Sequence, residues 1–364
     1  MATILKTMTV STSAIEELSG KLGKEWPAIS AARAAAATEV DRIESILADH
    51  RLIPSDTSLV VFGSLARREW TFGSDVDWTL LIDGQADPNH LKVAQEIANR
   101  FLQARLRGPG PTATFGGLAF SHDLIHQIGG EEDTNRNTTR RILLILESLA
   151  VGSSDAYDRV IKSVLNRYLD DDLSFLSRSG QHYKVPRFLL NDIVRYWRTM
   201  CVDYATKHRE RQGEKWALKN AKLRLSRKLI FAAGLLTCFN CHLRPPAGLD
   251  ENLFDLPAHL EPLLRHLRTY VKLTPLEIVA DAANSFAKPE TSLKIFDAYD
   301  QFLSMMNDGE VRTRLESLTA RECRSDPVFN KVRHISEQFQ DGVTRLFLDD
   351  EPKLSELTRK YGVF

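Results

Sequence analysis

Residues 61–83 read Val-Phe-Gly-Ser-Leu-Ala-Arg-Arg-Glu-Trp-Thr-Phe-Gly-Ser-Asp-Val-Asp-Trp-Thr-Leu-Leu-Ile-Asp. The run from Ser58 to Phe62 is apolar and β-branched, which predicts a buried strand, and Gly63-Ser64 lets the chain turn tightly into a short helix starting near Leu65. That turn offers backbone N–H groups to an anion. From Asp75 to Asp83 the β-favouring pattern resumes. Side chains alternate across a strand, so Asp75 and Asp77 share one face while Val76 and Trp78 take the other. Two carboxylates about 7 Å apart on one strand face repel each other unless a cation lies between them. A hard cation on two carboxylates beside a phosphate-cradling turn suits in-line attack on a nucleoside triphosphate.

Gly63, Ser64, Arg67, Ser74, Asp75 and Asp77 together resemble the signature of the DNA polymerase beta-like nucleotidyltransferase superfamily, over roughly residues 55–130. The resemblance implies an α+β chain: a small mixed-sheet nucleotidyltransferase core followed by an all-helical domain, with the active site in the cleft between them. It also implies transfer of a nucleoside monophosphate from an NTP onto a hydroxyl, with Mg²⁺ or Mn²⁺ bound and pyrophosphate released. The acceptor stays open between protein, small molecule, nucleotide and RNA. Members of the superfamily that use two metals need a third carboxylate on a neighbouring strand.

The candidate for that carboxylate is Asp123. A helix entered at Asp87-Pro88 is followed by a Gly-Pro-Gly-Pro turn and then by Gly117–Ile128. Read as a strand, this segment puts Ala119, Ser121, Asp123 and Gln127 on a mostly polar face and Leu118, Phe120, Leu124 and Ile128 on the other. Glu131, Glu132 and Asp133 are rivals on a loop after Gly129-Gly130. His122 and His126 read as core or subdomain-interface histidines; a zinc site would need more ligands.

From Asn137 onward the chain reads helical, through the apolar cluster Ile142–Leu146, a helix carrying Tyr157 to Tyr168, and one opened by Pro186 with Phe188, Leu189, Ile193, Trp197 and Met200 on its apolar side. The organisation expected is bracing helices over 1–55, the catalytic domain over 56–150 and the helical domain over 151–364. One segment of the helical half departs from the zero net charge of the chain: Arg209, Arg211, Lys215, Lys219, Lys222, Arg224, Arg227 and Lys228 face only Glu210 and Glu214. On an α-helix Lys215, Lys219, Lys222 and Ser226 fall in one stripe. Lys219, Lys222 and Ser226 are therefore candidates for the triphosphate, with contact to RNA or DNA through residues 209–228 as the alternative.

Cys238-x-x-Cys241-His242 matches a haem-attachment string, but residues 1–25 lack the apolar core of an export signal, and the cysteines read as free thiols. Four cysteines in 364 residues and no apolar run of ~18 residues predict a cytoplasmic protein without a membrane span. Two other functions stay open beside transfer to a macromolecule or small molecule: synthesis of a cyclic or oligonucleotide second messenger in an immunity system, and nucleotide sensing without catalysis.

Overall fold

The computed structural model describes residues 13–48, 53–110, 114–170, 185–210, 215–245 and 256–362. The first part runs α1 (Ala14–Leu22), α2 (Pro27–Ile46), β1 (Thr57–Phe62), α3 (Gly63–Ala66), β2 (Asp77–Ile82), α4 (Pro88–Gln103), β3 (Gly117–Phe120), α5 (Ser121–Ile125), α6 (Asn135–Leu146) and β4 (Ser148–Val151). Among the described residues the rest is helical: α7 (Asp155–Asp170), α8 (Arg187–Glu210), α9 (Trp216–Lys222), α10 (Lys228–Leu243), α11 (Leu256–Val271), α12 (Pro275–Phe286), α13 (Pro289–Asn307), α14 (Gly309–Ser317), α15 (Pro327–Arg345) and α16 (Pro352–Leu357). Between α9 and α10, Leu223–Arg227 forms a π-helical turn. The chain is thus α+β, with a small mixed sheet followed by helices.

The sheet order is β3-β2-β1-β4, with β1 antiparallel to β2 and β4, and β2 parallel to β3. Its two faces follow the period-2 alternation of the strands. Leu59, Val61, Trp78 and Leu80 pack with Ala36 and Ile43 of α2 and with Val93, Ile97 and Phe101 of α4. Val60, Phe62 and Leu81 instead join the large core built by the helical half. The sheet is therefore buried on both sides, and the helical domain is continuous with one of its faces.

The N-terminal helices do more than brace the sheet. The α1 helix, closed by a Ser13/Glu16 capping box, packs on α12, and α2 reaches both α3 and α13. Trp26 Nε1 donates to Asp297 Oδ1 at 2.8 Å, the Ile29 N–H to Asp300 Oδ1 at 2.9 Å, and Arg33 Nη2 to Glu277 Oε1 at 2.8 Å. These helices clamp the sheet to the C-terminal bundle. The expected 1–55 segment is described only from Ser13, without 49–52.

Several expectations change here. β4 was not anticipated, because Ser148–Val151 is four residues at the end of a long apolar helix. The buried side of α8 carries Leu189, Leu190, Ile193 and Tyr196, while Phe188 is 46% exposed. The largest change is at Gly117–Ile128, where the strand ends at Phe120 and Ser121–Ile125 is helical. His122 and His126 lie a turn apart with their rings 5.1 Å apart, and both are exposed, so neither is a core histidine. Cys238 and Cys241 are buried free thiols within α10.

Candidate active site

The Gly63 turn needs glycine for two reasons. Its φ is +70°, a region costly for residues with a Cβ, and a Cβ placed there would stand 3.1 Å from Asp77 Oδ2. Glycine lets the backbone of the turn close on the Asp77 carboxylate. Ser74 ties the two ends of the intervening loop together: its hydroxyl accepts from the Thr71 N–H at 3.1 Å and lies 3.1 Å from Ser64 Oγ. Gly73 is held from the helical half, its carbonyl accepting from Arg312 Nη2 at 2.6 Å. Gly63, Ser64, Ser74, Asp75 and Asp77 consequently line one cleft, as the sequence motif predicts.

The opposite wall comes from the helical half. Lys222, Ser226, Arg227 and Arg312 line the same cleft, together with apolar Phe302 and Met306 of α13. The π-helical turn explains part of this. It adds a residue per turn relative to an α-helix, so that Lys222, Ser226 and the adjacent Arg227 all reach the cleft, a use of π-turns that recurs at functional sites. The straight α-helical stripe predicted a different set. Lys219, one turn before Lys222, is not among the cleft-lining residues. Of the other basic residues, Lys215 pairs with Glu316 at 3.5 Å, Arg224 donates to Ser336 at 3.4 Å, and Lys228 bonds Gln340. The side chain of Arg209 and the whole of Arg211 lie outside the described residues.

Arg67 and Glu69 also line the cleft, and Arg67 enters a buried ionic network there. Its Nε donates to Glu69 Oε2 at 2.8 Å and its Nη1 to Glu147 Oε2, while Arg227 Nη1 donates to Glu147 Oε1 at 3.2 Å. The Tyr299 hydroxyl of α13 donates to Glu69 Oε1 at 2.8 Å. Although burial works against its charge, Glu69 and Glu147 hold the Arg67 guanidinium well above its ordinary pKa. Glu69, Glu147, Arg227, Tyr299 and Arg312 were not picked out as site residues from sequence. The bonds that bring Glu147, Tyr299 and Arg312 to the site span 80, 230 and 239 residues, and no local spacing announces them.

Electrostatically the cleft is unbalanced. Burial pushes the half-buried Asp77 up to about 7, Asp75 and Glu147 push the same way, and Arg227 and Lys222 oppose. Burial pushes Lys222 down to about 8, against the pull of Asp75. Asp75 lies just before β2, outside the strand expected from Asp75 onward, and Asp77 opens it; both line the cleft, two carboxylate donors of the kind that one hard divalent cation such as Mg²⁺ or Mn²⁺ takes.

Asp123 does not join them. β3 runs parallel to β2 with Thr79 level with Gly117 and Ile82 level with Phe120. Asp77 is at the opening of β2, and Asp123 is three residues past the level of its end, so the two lie at opposite ends of the sheet, roughly 15 Å or more apart at 3.3 Å per residue. Asp123 stands instead near Arg140. The rival Asp133 is also elsewhere, buried against both Nη atoms of Arg141 at 3.1 and 2.9 Å and against Arg195 at 3.1 Å. Among the described residues no group of three or more His, Cys, Asp or Glu could hold a metal.

Residues 27–118, from the start of α2 into β3, match a family model described as "Putative nucleotidyltransferase DUF294". No curated protein matches the chain.

Proposed function

From residues 27–118 as a domain of the nucleotidyltransferase superfamily, we propose that the cleft binds a nucleoside triphosphate with Mg²⁺ and transfers the nucleoside monophosphate to a hydroxyl acceptor, releasing pyrophosphate. The observation carrying this reading is the closure of the Gly63 turn on Asp77, with Asp75 beside it and Lys222, Arg227 and Arg312 facing it across one cleft. Asp75 and Asp77 would hold the cation, which when bound neutralises the phosphates and polarises the scissile bond. Ser64 and the first N–H groups of the turn orient phosphate oxygens. Lys222 and Arg227 supply positive charge where the leaving pyrophosphate develops negative charge, and their pre-positioning by Glu147 and by burial removes reorganisation cost. Phe302 and Met306 exclude water from one wall.

The experiment is incubation with each of the four NTPs labelled at the α-phosphate, plus Mg²⁺, with small products resolved from labelled protein and RNA. Label in a macromolecule identifies transfer to protein or RNA. A new soluble nucleotide identifies a second-messenger synthase. Retained but unconverted NTP favours the second reading, a nucleotide-sensing module without catalysis. The placement of Asp123 at the far end of the sheet supports that reading, since it leaves no sequence-predicted third carboxylate at the cleft. Failure to bind any NTP overturns both.

A further inference from the structure

We propose that, with a triphosphate seated, the cleft holds a single divalent cation on Asp75 and Asp77 instead of a pair; the proposal rests on the nucleotide-binding reading above. A second cation needs a further carboxylate, and among the described residues the Asp77 end of the sheet offers none that is free. On one side of Asp77 its register partner is Phe62. On the other, Gly117 is level with Thr79 and the Gly116 N–H donates to the Trp78 carbonyl at 2.7 Å, so continuing the register puts Phe115 beside Asp77. The Phe62 and Phe115 rings meet with centroids 4.9 Å apart. Both positions from which a neighbouring strand would offer a carboxylate are therefore aromatic.

Among the described residues, the two other acids that approach this end, Glu147 and Glu69, are committed elsewhere. Glu147 precedes Ser148, the register partner of Phe62, and its side chain is 1% exposed. One of its oxygens accepts from Arg67 and the other from Arg227. Glu69 gives one oxygen to Arg67 and the other to Tyr299. Turning Glu147 towards a metal would leave two guanidinium groups facing one another with their shared counter-ion removed, a change that is strongly unfavourable when charges are buried. Lys222, Arg227 and Arg312 already provide fixed positive charge along the cleft. Protein cations thus occupy the electrostatic role that a second metal ion would fill.

The test is a Mn²⁺ titration of the full chain saturated with an α,β-methylene triphosphate, followed by electron paramagnetic resonance. One Mn²⁺ per chain with an uncoupled six-line spectrum is the expected result. In Asp75→Asn/Asp77→Asn, Mn²⁺ affinity should fall to that of the nucleotide analogue alone. Two Mn²⁺ per chain, or a spin-coupled spectrum, overturns the single-cation site while leaving nucleotide binding in place. Undiminished Mn²⁺ affinity in the double variant overturns the assignment to these aspartates, and absence of nucleotide binding by the wild-type chain overturns the underlying reading as well.

Discussion

Two regions of this molecule gather carboxylates and guanidinium groups, one among the helices around Arg141 and one at the Asp77 cleft, and they differ in whether the charges close on themselves. Among the helices, Arg141 is fully buried and bonds Asp133, Asp192 and the Tyr168 hydroxyl, while Arg195 adds a second cation to Asp133. Against the opposing effect of burial, the hydrogen bonds and charge of Arg141 hold Asp133 below the usual carboxylate range. At the Asp77 cleft the carboxylates are only partly buried and face the opening, and Asp77 is pushed up instead, by desolvation first and by Asp75 next. Opposite signs separate a satisfied structural cluster from the cleft proposed above to hold a cation, where a count of buried charges would not.

The largest effect expected is on the closed cluster. Arg141→Ala leaves Asp133 and Asp192 buried without their common counter-ion, and should lower unfolding free energy by roughly 3–5 kcal/mol in a urea titration. A loss below ~1 kcal/mol would mean that the cluster is not closed. Next, Asp77→Asn should cut NTP turnover at least ~100-fold, equivalent to about 2.7 kcal/mol, with an unchanged circular dichroism spectrum. Undiminished turnover would remove Asp77 from the site.

How much of this was legible in sequence depends on distance along the chain. The Gly63-Ser64 turn, Ser74 and the Asp75/Asp77 pair are local, and alternation correctly put Val76 and Trp78 on the buried opposite face. Asp123 misled because Phe120, Leu124 and Ile128 are four apart, a spacing that is both even, as in a strand, and one helical turn. Tertiary context chose the helix after Phe120. Lys222 and Ser226 were found on the right segment, but the π-helical turn that admits Arg227 has no signature in an α-helical projection. Glu147 reads as the polar end of an apolar helix, and its role as counter-ion to Arg67 and Arg227 exists only once β4 docks on β1.

A smaller effect separates two lysines one turn apart. Lys222→Ala should weaken triphosphate binding by about tenfold, the scale of one charge-assisted hydrogen bond, whereas Lys219→Ala should change it by less than about twofold. Isothermal titration with a non-hydrolysable triphosphate reads both. Equal effects would restore the straight stripe and contradict the cleft boundary. If the segment bound RNA instead, both variants would weaken RNA binding and flatten its salt dependence by about one unit of slope per lost phosphate contact.

The smallest effect tests the opposite signs directly, in metal-free protein with chelator present. Asp133 is held below its unfolded value of 3.8, so its contribution to stability is present above that pH and is lost as pH falls through its folded value. Asp133→Asn should therefore lower Tm at pH 7, with the difference shrinking below about pH 4. Asp77 runs the other way. Its folded pKa, about 7, lies above its unfolded 3.8, so the folded state binds the extra proton and loses stability as pH rises between those two values. Asp77→Asn removes a carboxylate that is costly to ionise beside Asp75, and should raise Tm by roughly 2 °C at pH 8 while matching the wild type near pH 4. Thermal melts of the three proteins from pH 4 to 8 would show two difference curves of opposite sign. If Asp77→Asn were instead destabilising at pH 8, Asp77 would be a paired structural carboxylate like Asp133, and the distinction between the two regions would fall.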